Sequence, residues 1–423
     1  MNKTRKKYIP SVSGKYPDGT IFELLHDPEK KQTTFCVWKD GSFEITEKYE
    51  EYGTLLVPYT PHNNLIKHKI VVFPSKPEEY SSEVHLITEI QEYIHKYVDL
   101  SLTFEQIATY YVLLTWVYDS FNELPYLRKC GDFGSGKTRF LTVLGSICYK
   151  PIFASGGASS ASLFHSLDKF NGTLIIDEAD FRFSDEKAEI TKILNNGNVK
   201  GFPILRCQVK KNGEYSPQGF NVYGPKIIAT RGHYQDKALE SRFLSENVSI
   251  KNLRSDIPVT LPESFEEEAR NLRNKLLYYR FKNLNSIKVN EDLIMDYIEP
   301  RLNQIFIPLL SVISNSDVRK NIIKLAKQYD DEIKFDRGNE IEAEVLSSIK
   351  QLLGEKKKLT VRVIANRFFR LYGDNYVKKI TPKWIGYVVR KKLGIKTIKS
   401  NGNYIVAPSQ GSKITFLFEK YDV

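Results

Sequence analysis

The segment Gly131–Thr138, GDFGSGKT, has the residue types and spacing of a phosphate-binding loop, GxxxxGK[ST]. Glycines at these positions let backbone N–H groups turn towards a polyphosphate, and a helix that begins there adds its positive dipole end. Lys137 can neutralise the β- and γ-phosphates, and the hydroxyl of Thr138 can coordinate Mg²⁺. The pattern therefore predicts ATP and Mg²⁺ as cofactors. The predicted phosphate-binding residues are Gly131, Asp132, Phe133, Gly134, Ser135, Gly136, Lys137 and Thr138.

Two adjacent carboxylates end the apolar segment Thr173–Glu178, TLIIDE. Asp177 is predicted to hold Mg²⁺ together with Thr138, through the water shell of the ion. Glu178 is predicted to orient and deprotonate the attacking water, which makes it the candidate catalytic base. The alternative is a buried strand with two solvated acids at its edge. The phosphate-binding loop earlier in the chain favours the catalytic interpretation.

Alternating apolar strands and helices place these motifs in a parallel sheet with helices on both faces, which is an α/β fold. The predicted strands are Tyr126–Cys130, Pro151–Ala154, Thr173–Asp177 and Lys226–Thr230. Apolar residues at helical spacing predict two helices before the sheet, at Glu83–Val98 and Phe104–Phe121.

Changes in sequence pattern predict four domains. They are a small β-rich N-terminal domain at 1–82, an ATPase core at 83–255, a helical lid at 256–335 and a C-terminal domain at 340–423. In the first domain Asp40–Gly41 supplies a hairpin turn. The polar stretch Asp330–Asn339 is predicted to be a linker.

The long stretch between the third and fourth strands of the sheet predicts a β-hairpin around 205–222. Asn212–Gly213 supplies its turn, and Lys210 and Lys211 lie at its tip. Two lysines on a projecting hairpin are suited to grip the phosphates of single-stranded nucleic acid without reading its sequence. The alternative is a solvated surface hairpin.

The C-terminal domain has the pattern of a winged helix-turn-helix, with three helices followed by a hairpin that turns at Asn401–Gly402. Its third helix begins after Thr381–Pro382, an N-cap with Pro at the first helical position. We expect Trp384, Ile385, Val388 and Val389 to form the buried face of that helix. The predicted DNA contacts of the domain are Lys383, Tyr387, Arg390, Lys391, Lys396 and Lys399. Some winged helices bind protein instead, and that alternative stays open.

Charge along the chain favours a polyanionic partner. The 423 residues carry a net charge of +11, and the part from Glu340 to the C-terminus carries +10 of it, from 17 Lys and Arg against 7 Asp and Glu. So concentrated an excess favours nucleic acid over a role in solubility alone.

Other features exclude several classes of protein. The four cysteines are far apart and form no zinc or disulfide pattern, and no apolar run approaches the length of a membrane span. The basic N-terminus lacks the apolar region of a secretory signal. We therefore expect an intracellular, cytoplasmic protein that has no membrane partner.

Taken together, these motifs resemble AAA+ replicative helicases of mobile genetic elements of the plasmid and phage type. The nearest large family that the chain resembles is the minichromosome-maintenance helicases. The residues that carry the resemblance are GDFGSGKT at 131–138, TLIIDEAD at 173–180, the hairpin around 205–222 and Ser241–Phe243, SRF. It covers roughly residues 84–285 well and the winged helix in outline, but it does not cover the first 80 residues.

The resemblance implies roles for residues after the later strands. Thr230 occupies the position of a sensor of the γ-phosphate, where Asn is more usual, and Arg231 competes for that role. Arg242 occupies the position of an arginine finger, which reaches the γ-phosphate of the neighbouring subunit. The alternative for Arg242 is a surface ion pair with Glu240 or Glu246.

The family also implies a ring, usually a hexamer, that encircles single-stranded DNA while the winged helix binds duplex. Arg273 is the preferred candidate for a second nucleotide sensor, ahead of Arg270, and both are alternatively plain surface arginines.

Three functions remain open at this point. The leading hypothesis is a hexameric ATP-dependent DNA helicase that replicates a mobile element. An AAA+ initiator or helicase loader would use the same motifs as a nucleotide-switched DNA-binding protein. A regulatory ATPase that remodels protein is disfavoured by the concentrated positive charge.

Overall fold

A computed structural model describes residues 8–51, 54–177, 185–209, 213–248, 254–338, 341–373, 380–400 and 402–423. The chain divides into two compact units, Met1–Ile323 and Lys324–Val423. Within the described ranges, no helix is both long enough and apolar enough to cross a membrane.

The N-terminal segment is built from short strands. They are β1 (Tyr8–Ser11), β2 (Ser13–Lys15), β3 (Ile21–Asp27), β4 (Gln32–Lys39), β5 (Ser42–Thr46), β6 (Tyr49–Glu51) and β7 (Thr54–Pro58). Strands β2 to β5 form an antiparallel sheet in sequence order, while β1, β7 and β6 form a second sheet. The turn between β4 and β5 contains Asp40 and Gly41, both at positive φ, which Gly adopts without strain.

Helices connect this segment to the central sheet. They are α1 (Asn64–Lys67), α2 (Glu83–Tyr97) and α3 (Leu102–Val117). Ser82 and Ser101 cap α2 and α3, since their side chains accept hydrogen bonds from the first turn of each helix. Nearly every residue of α3 is buried, so this helix lies inside the core rather than on its surface.

The predicted parallel sheet is confirmed. Its region contains β8 (Tyr126–Cys130), α4 (Lys137–Ile147), β9 (Ile152–Ala154), α5 (Ser160–Phe170), β10 (Leu174–Ile176), α6 (Asp185–Asn196), β11 (Ile204–Val209), β12 (Tyr215–Phe220), β13 (Lys226–Thr230), α7 (Lys237–Glu240) and β14 (Phe243–Asn247). The five parallel strands lie in the order β14-β8-β13-β10-β9, and β11 and β12 pair separately as a hairpin. Strand β13 therefore lies between the strand that precedes the glycine-rich loop and the strand that precedes Asp177.

The strand register aligns the carboxyl ends of β8, β13 and β10. Thr230 pairs with Cys130, and Ile228 pairs with Ile176. Because the strands are parallel, the residues that follow β8, β10 and β13 all emerge at the carboxyl edge, where ligands bind in open α/β sheets.

Helices follow the sheet. They are α8 (Ser264–Asn283), α9 (Pro300–Ser311) and α10 (Ser316–Gly338). The predicted linker at Asp330–Asn339 is wrong as far as Gly338, because α10 continues through it. Lys334 and Asp330 form an i,i+4 ion pair at 2.8 Å there, so the polar residues stabilise a helix instead of ending one. The boundary between the two units falls within this helix.

Buried charges tie the N-terminal segment to the rest of the first unit. Glu23 on β3 accepts hydrogen bonds from Arg280 of α8 at 2.7 Å and from Tyr149 at 2.6 Å. Arg280 also binds Asp119 through two nitrogens, at 2.8 and 2.9 Å. Lys150 lies 3.8 Å from Glu23. Removal of one partner would leave an uncompensated buried charge, which costs about 3–5 kcal/mol.

The second unit has its own apolar core. Its elements are α11 (Ile341–Gly354), α12 (Val361–Tyr372), α13 (Pro382–Tyr387), β15 (Thr397–Ser400), β16 (Asn403–Val406) and α14 (Gly411–Tyr421). A π-helical segment, Val388–Lys392, continues α13. Ile385, Val388 and Val389 are buried as predicted, but Trp384 is 38% exposed, so its predicted burial is wrong. The helix buries positions i, i+3 and i+4, and Trp384 lies outside that face.

Lys226, the first residue of β13, is buried with its ammonium group inside a ring of carbonyls. Its Nζ donates to the carbonyl oxygens of Gly197, Val222 and Gly224 at 2.9–3.1 Å. Burial lowers the pKa of Lys226 to about 7, because the apolar surroundings disfavour the charged form.

We expect the stability of the protein relative to a Lys226→Met variant to increase with pH above about 7. An unfolded lysine has a pKa near ~10.4, so between these values the unfolded state binds more protons, and stability rises by up to about 1.4 kcal/mol per pH unit. Urea unfolding of both proteins at about pH 7 and about pH 8.5 measures this. Lys320→Met, at an exposed position, is the control; a wild-type to Lys226→Met difference that is the same at both pH values would contradict the expectation.

Candidate functional site

The loop between β8 and α4 has the backbone geometry of an anion cradle. Gly134 and Gly136 both adopt φ of 74°, in the left-handed region that glycine occupies without strain. Helix α4 begins at Lys137, directly after the second of these glycines. The first N–H groups of this helix have no acceptor within it and are directed at the loop, which suits a phosphate.

Lys137 points its ammonium group into the loop. Its Nζ donates to the carbonyl oxygens of Gly131 at 2.6 Å and Asp132 at 2.7 Å. Ser135 Oγ also donates to the carbonyl of Asp132, at 2.7 Å. The lysine side chain therefore closes the loop on itself, and its charge lies where a polyphosphate would be bound.

Thr138 and Asp177 meet at the carboxyl edge of the sheet. The hydroxyl of Thr138 donates to Asp177 Oδ2 at 2.7 Å. A hydroxyl and a carboxylate beside a phosphate cradle are the oxygen ligands that Mg²⁺ takes in nucleotide sites, so the residues present fit the ion. Glu178, the predicted catalytic base, lies outside the described residues.

Thr230 and Arg231 lie between these two motifs, at the end of β13. The hydroxyl of Thr230 is buried and has no hydrogen-bond partner among the described residues, which is an unsatisfied polar atom beside the loop. The guanidinium of Arg231 stacks 4.0 Å above the ring of Phe133, which is 78% exposed in the loop. Both candidates for the sensor are therefore within the site, and their roles stay predictions.

Lys129 supports the loop from below, and sequence reasoning missed it. Its side chain is buried in β8, and its Nζ donates to the carbonyl of Asp99 at 3.0 Å. A Cβ at Gly136 would lie 3.7 Å from this nitrogen. Burial lowers the pKa of Lys129 to about 8. Two adjacent basic residues, Arg128 and Lys129, within a predicted strand of the central sheet were the signal that could have identified it.

Arg242 lies at the opposite edge of the sheet. It precedes β14, and its carbonyl accepts a hydrogen bond from the N–H of Tyr126, the first residue of β8. The loop follows the last residue of β8, and a five-residue strand spans roughly 13 Å. Arg242 is therefore remote from the loop of its own subunit.

The guanidinium of Arg242 binds neutral oxygens, so the predicted alternative of an ion pair with Glu240 or Glu246 is wrong. It donates to Asn198 Oδ1 at 2.9 Å, to Asn195 Oδ1 and to the carbonyl of Ala238 at 2.8 Å. Glu240 is held by Arg128, and Glu246 accepts hydrogen bonds from Ser101.

A second arginine, which the sequence analysis did not identify, joins Arg242 at this edge. Arg301 of α9 donates to the same carbonyl of Ala238, at 2.6 Å. Burial, and secondly the charge of Arg301, lower the pKa of Arg242. Two cationic groups therefore converge on one carbonyl, on the face of the unit opposite the phosphate cradle.

Arg273, the predicted second sensor, lies away from the loop. Its Nη1 donates to the carbonyl of Ser146, at 2.5 Å. Ser146 is nine residues after Lys137 on α4, which is roughly 13 Å along the helix. Arg270 pairs instead with Glu29, at 3.0 Å.

The predicted hairpin is present as β11 and β12, and its tip with Lys210 and Lys211 lies outside the described residues. Phe220 anchors the base, with its ring 4.7 Å from that of Phe164. Val209 and Tyr215 are opposite each other next to the tip, 64% and 76% exposed. The hairpin therefore presents an exposed aromatic ring at its last described pair, which sequence reasoning did not include.

The predicted DNA contacts of the second unit are mostly exposed. Lys383, Tyr387, Lys391, Lys396 and Lys399 are on the surface. Arg390 differs, because its guanidinium lies 4.9 Å from the ring centroid of Tyr404 on β16, and its Nη1 is buried without a partner among the described residues. Arg390 therefore packs α13 and its π-helical continuation against the hairpin.

Comparisons with known proteins give only distant likenesses. No protein-family model and no curated protein matches the sequence. Among solved structures, the apo A form of the NrS-1 C-terminal region is 14% identical, over 91% of this chain and 95% of that chain, with a TM-score of 0.35. The NrS-1 region CTR(305-718) is 12% identical over 91% and 96%, with a TM-score of 0.37. The JCV helicase is 13% identical over 65% and 66%, with a TM-score of 0.25. These values are too low to support a functional assignment.

We expect Lys137→Ala to weaken the binding of ATP about ten- to hundredfold, because charge-assisted hydrogen bonds to the phosphates are lost. Isothermal titration with a non-hydrolysable ATP analogue and Mg²⁺ measures the dissociation constant. Lys320→Ala removes an exposed lysine outside the site and is the matched control. Equal affinity in the Lys137→Ala variant and the control would contradict the assignment of the loop.

Proposed function

We propose that the chain is an ATP-hydrolysing motor of the AAA+ kind that acts as a ring-forming DNA helicase, with the replication of a mobile genetic element as its role. The observation that carries the ATPase part is the 2.7 Å hydrogen bond between Thr138 and Asp177 beside the glycine-rich loop. It brings both predicted ligands of Mg²⁺ together from distant parts of the sequence, at the edge where the loop lies.

Each residue of the site has a defined task in this proposal. ATP supplies the phosphoryl group, and Mg²⁺ supplies positive charge next to it. The N–H groups of the loop and the ammonium of Lys137 bind the phosphates, while Thr138 and Asp177 position the ion. Glu178 directs the attacking water, and Thr230 or Arg231 orients the terminal phosphate from between the two motifs.

The position of Arg242 supports a site completed by a second subunit. Arg242 and Arg301 face away from their own loop, and neither forms an ion pair with a carboxylate of the described residues. In a head-to-tail ring, the edge that carries these arginines meets the loop of the next copy. The arginines would then stabilise the charge that develops on the γ-phosphate in trans.

Two parts of the chain supply contacts with DNA in this proposal. The hairpin β11–β12 exposes the ring of Tyr215, and the sequence between its strands contains Lys210 and Lys211. Aromatic rings with basic groups bind single strands by stacking and by charge. The second unit is a winged helix, in which α13 enters a groove of duplex DNA and Lys396 and Lys399 contact the backbone.

Helices α8 to α10 are proposed as the lid of the ATPase. Arg139, the residue after Thr138, donates to the carbonyl oxygens of Pro258 and Val259, at 3.0 and 2.7 Å. These residues lead into α8, so the start of α4 is tied directly to the segment before the lid. A change in the loop can therefore reach α8 through one side chain.

The second candidate function is an AAA+ initiator or helicase loader. The basic second unit favours it, because exposed lysines on α13 and on the hairpin β15–β16 suit the binding of an origin. The exposed hairpin of the first unit favours the helicase instead, since a loader has no need to grip a translocating strand.

We expect the wild type to separate the strands of a forked DNA with ATP, and Lys137→Ala to lose this activity. Strand separation measured with a fluorophore and quencher pair tests the proposal.

Tyr215→Ala should lower unwinding while ATP affinity stays unchanged, because stacking on a base is worth about 1–3 kcal/mol.

Two outcomes separate the alternatives. ATP hydrolysis stimulated by single-stranded DNA, without strand separation, would exclude the helicase and favour the loader. Normal unwinding by Lys210→Ala/Lys211→Ala would exclude the assigned role of the hairpin lysines.

We expect Arg242→Ala to lower kcat for ATP hydrolysis on the order of a thousandfold, and to leave ATP affinity unchanged. Arg242→Lys should not restore the rate, since lysine lacks the planar fork of donors. Mixing the Arg242→Ala and Lys137→Ala variants should restore activity, because about a quarter of the interfaces in a mixed ring then contain an intact loop and an intact Arg242. A mixture as inactive as its components would contradict action in trans.

A further inference from the structure

A cavity of about 400 Å³ lies beside α4, on the side where the N-terminal segment meets α8. It is within the usual size range of small-molecule sites. Its walls come from Val71–Phe73, from α4, from Phe153 of β9 and from α8, and the rest of the lining is His26, Pro28, Ile66, Lys69 and Glu263. The phosphate-binding loop contributes no residue to its lining.

Arg273 lines this cavity from α8 and is 8% exposed. Its Nη1 donates to the carbonyl of Ser146, but its buried Nε has no hydrogen-bond partner among the described residues. Burial lowers the pKa of Arg273 to about 10, so the group remains charged at neutral pH. A buried charge is costly unless a counter-charge and hydrogen bonds compensate for it.

Glu263, Glu266 and Glu267 border the cavity, and Glu266 interacts with Arg273 at long range, but no ion pair joins Arg273 to a carboxylate of the described chain. Glu266 on the rim is held by Lys69, at 2.5 and 2.7 Å, and Glu29 by Arg270. The hydroxyl of Tyr93 is bonded to that of Ser146, and burial raises the pKa of Tyr93, so it remains neutral. The guanidinium of Arg273 therefore lacks an anion within ion-pair distance in the described part of the chain.

The surface that the cavity exposes is mainly apolar, although polar side chains also border it. Val71, Phe73 and Phe265 are buried residues of the lining. The ring of Phe153 packs directly on α4 at Gly145, where an added Cβ would lie 2.6 Å from the ring. Such walls suit an apolar body, and the single buried cation at their side suits a charged head group.

We propose that this cavity is a binding site for a small organic anion, whose acidic group pairs with Arg273 and whose apolar body lies against Phe73, Phe153 and Phe265. The site is separate from the nucleotide site, and it does not depend on the proposed motor function. Its occupant would touch both α8 and the end of α4, the helix that begins at Lys137. Arg273 is thus assigned to this ligand rather than to the phosphates of ATP.

Octanoate and octan-1-ol are a matched pair of probes, with the same chain length and a different head group. By isothermal titration of the full chain, we expect octanoate to bind about ten- to hundredfold more tightly than octanol. Arg273→Met removes the charge and retains much of the volume, so it should abolish this preference. Val72→Phe fills the cavity from the opposite wall and should weaken both probes without changing the charge.

Addition of a saturating ATP analogue with Mg²⁺ should leave the octanoate affinity within about twofold, because one site does not overlap the other. Competition between ATP and octanoate would overturn the proposal and assign Arg273 to the nucleotide site. A wild type that binds neither probe, or one that binds octanoate no better than Arg273→Met does, would also overturn it. None of these results depends on ATP hydrolysis or DNA unwinding.

Discussion

The hydrogen bond between Thr138 and Asp177 imposes the geometry on which the rest of the first unit depends. The strands that precede these residues, β8 and β10, are separated by β13, and adjacent strands are ~4.8 Å apart, so roughly 10 Å must be bridged. The loop bridges it by carrying the chain across the end of β13 before α4 begins. Two glycines at positive φ permit that path, and α4 then packs on β13. The sheet order, the loop and helix α4 together therefore bring Thr138 across β13 to Asp177.

Buried charges hold this arrangement in place, each with a different kind of partner. Arg128 is wholly buried in β8 and binds Glu240, while its neighbour Lys129 binds a carbonyl under the loop. Lys226 binds only carbonyl oxygens, and Arg280 binds two carboxylates. Buried arginine and lysine side chains are costly to desolvate. They specify one packing, because each forms its hydrogen bonds in only one arrangement of the surrounding elements. Arg273 is the exception, with a nitrogen that no described residue satisfies.

Sequence patterns that extend over a few residues correctly predicted the local elements of the structure. The apolar strands of the parallel sheet, the N-cap at Thr381 and the loop motif all appear near their predicted positions, because turn residues and periodicity act over a few residues. Long-range partners could not be predicted in the same way. The approach of Arg301 to Arg242 brings together residues 59 positions apart. Two predictions were wrong. The linker predicted at Asp330–Asn339 is a helix as far as Gly338, because charge composition alone does not distinguish a solvated helix from a linker. Trp384 was predicted to be buried and is exposed, because a short apolar sequence does not show which face of a helix packs on the core.

The contact between Glu23 and Arg280 also limits how this chain can change by recombination. Glu23 belongs to the N-terminal strands and Arg280 to α8, 257 positions later, and the hydrogen bond between them is buried. An exchange of the N-terminal strands with those of another protein would remove one of the two carboxylates that Arg280 binds. It would also remove Glu23 and Ser13, which are polar partners of the buried Lys150. The strands and α8 are therefore expected to be inherited together. In this protein the β-rich segment is a fixed part of the first unit and not a separately exchangeable module.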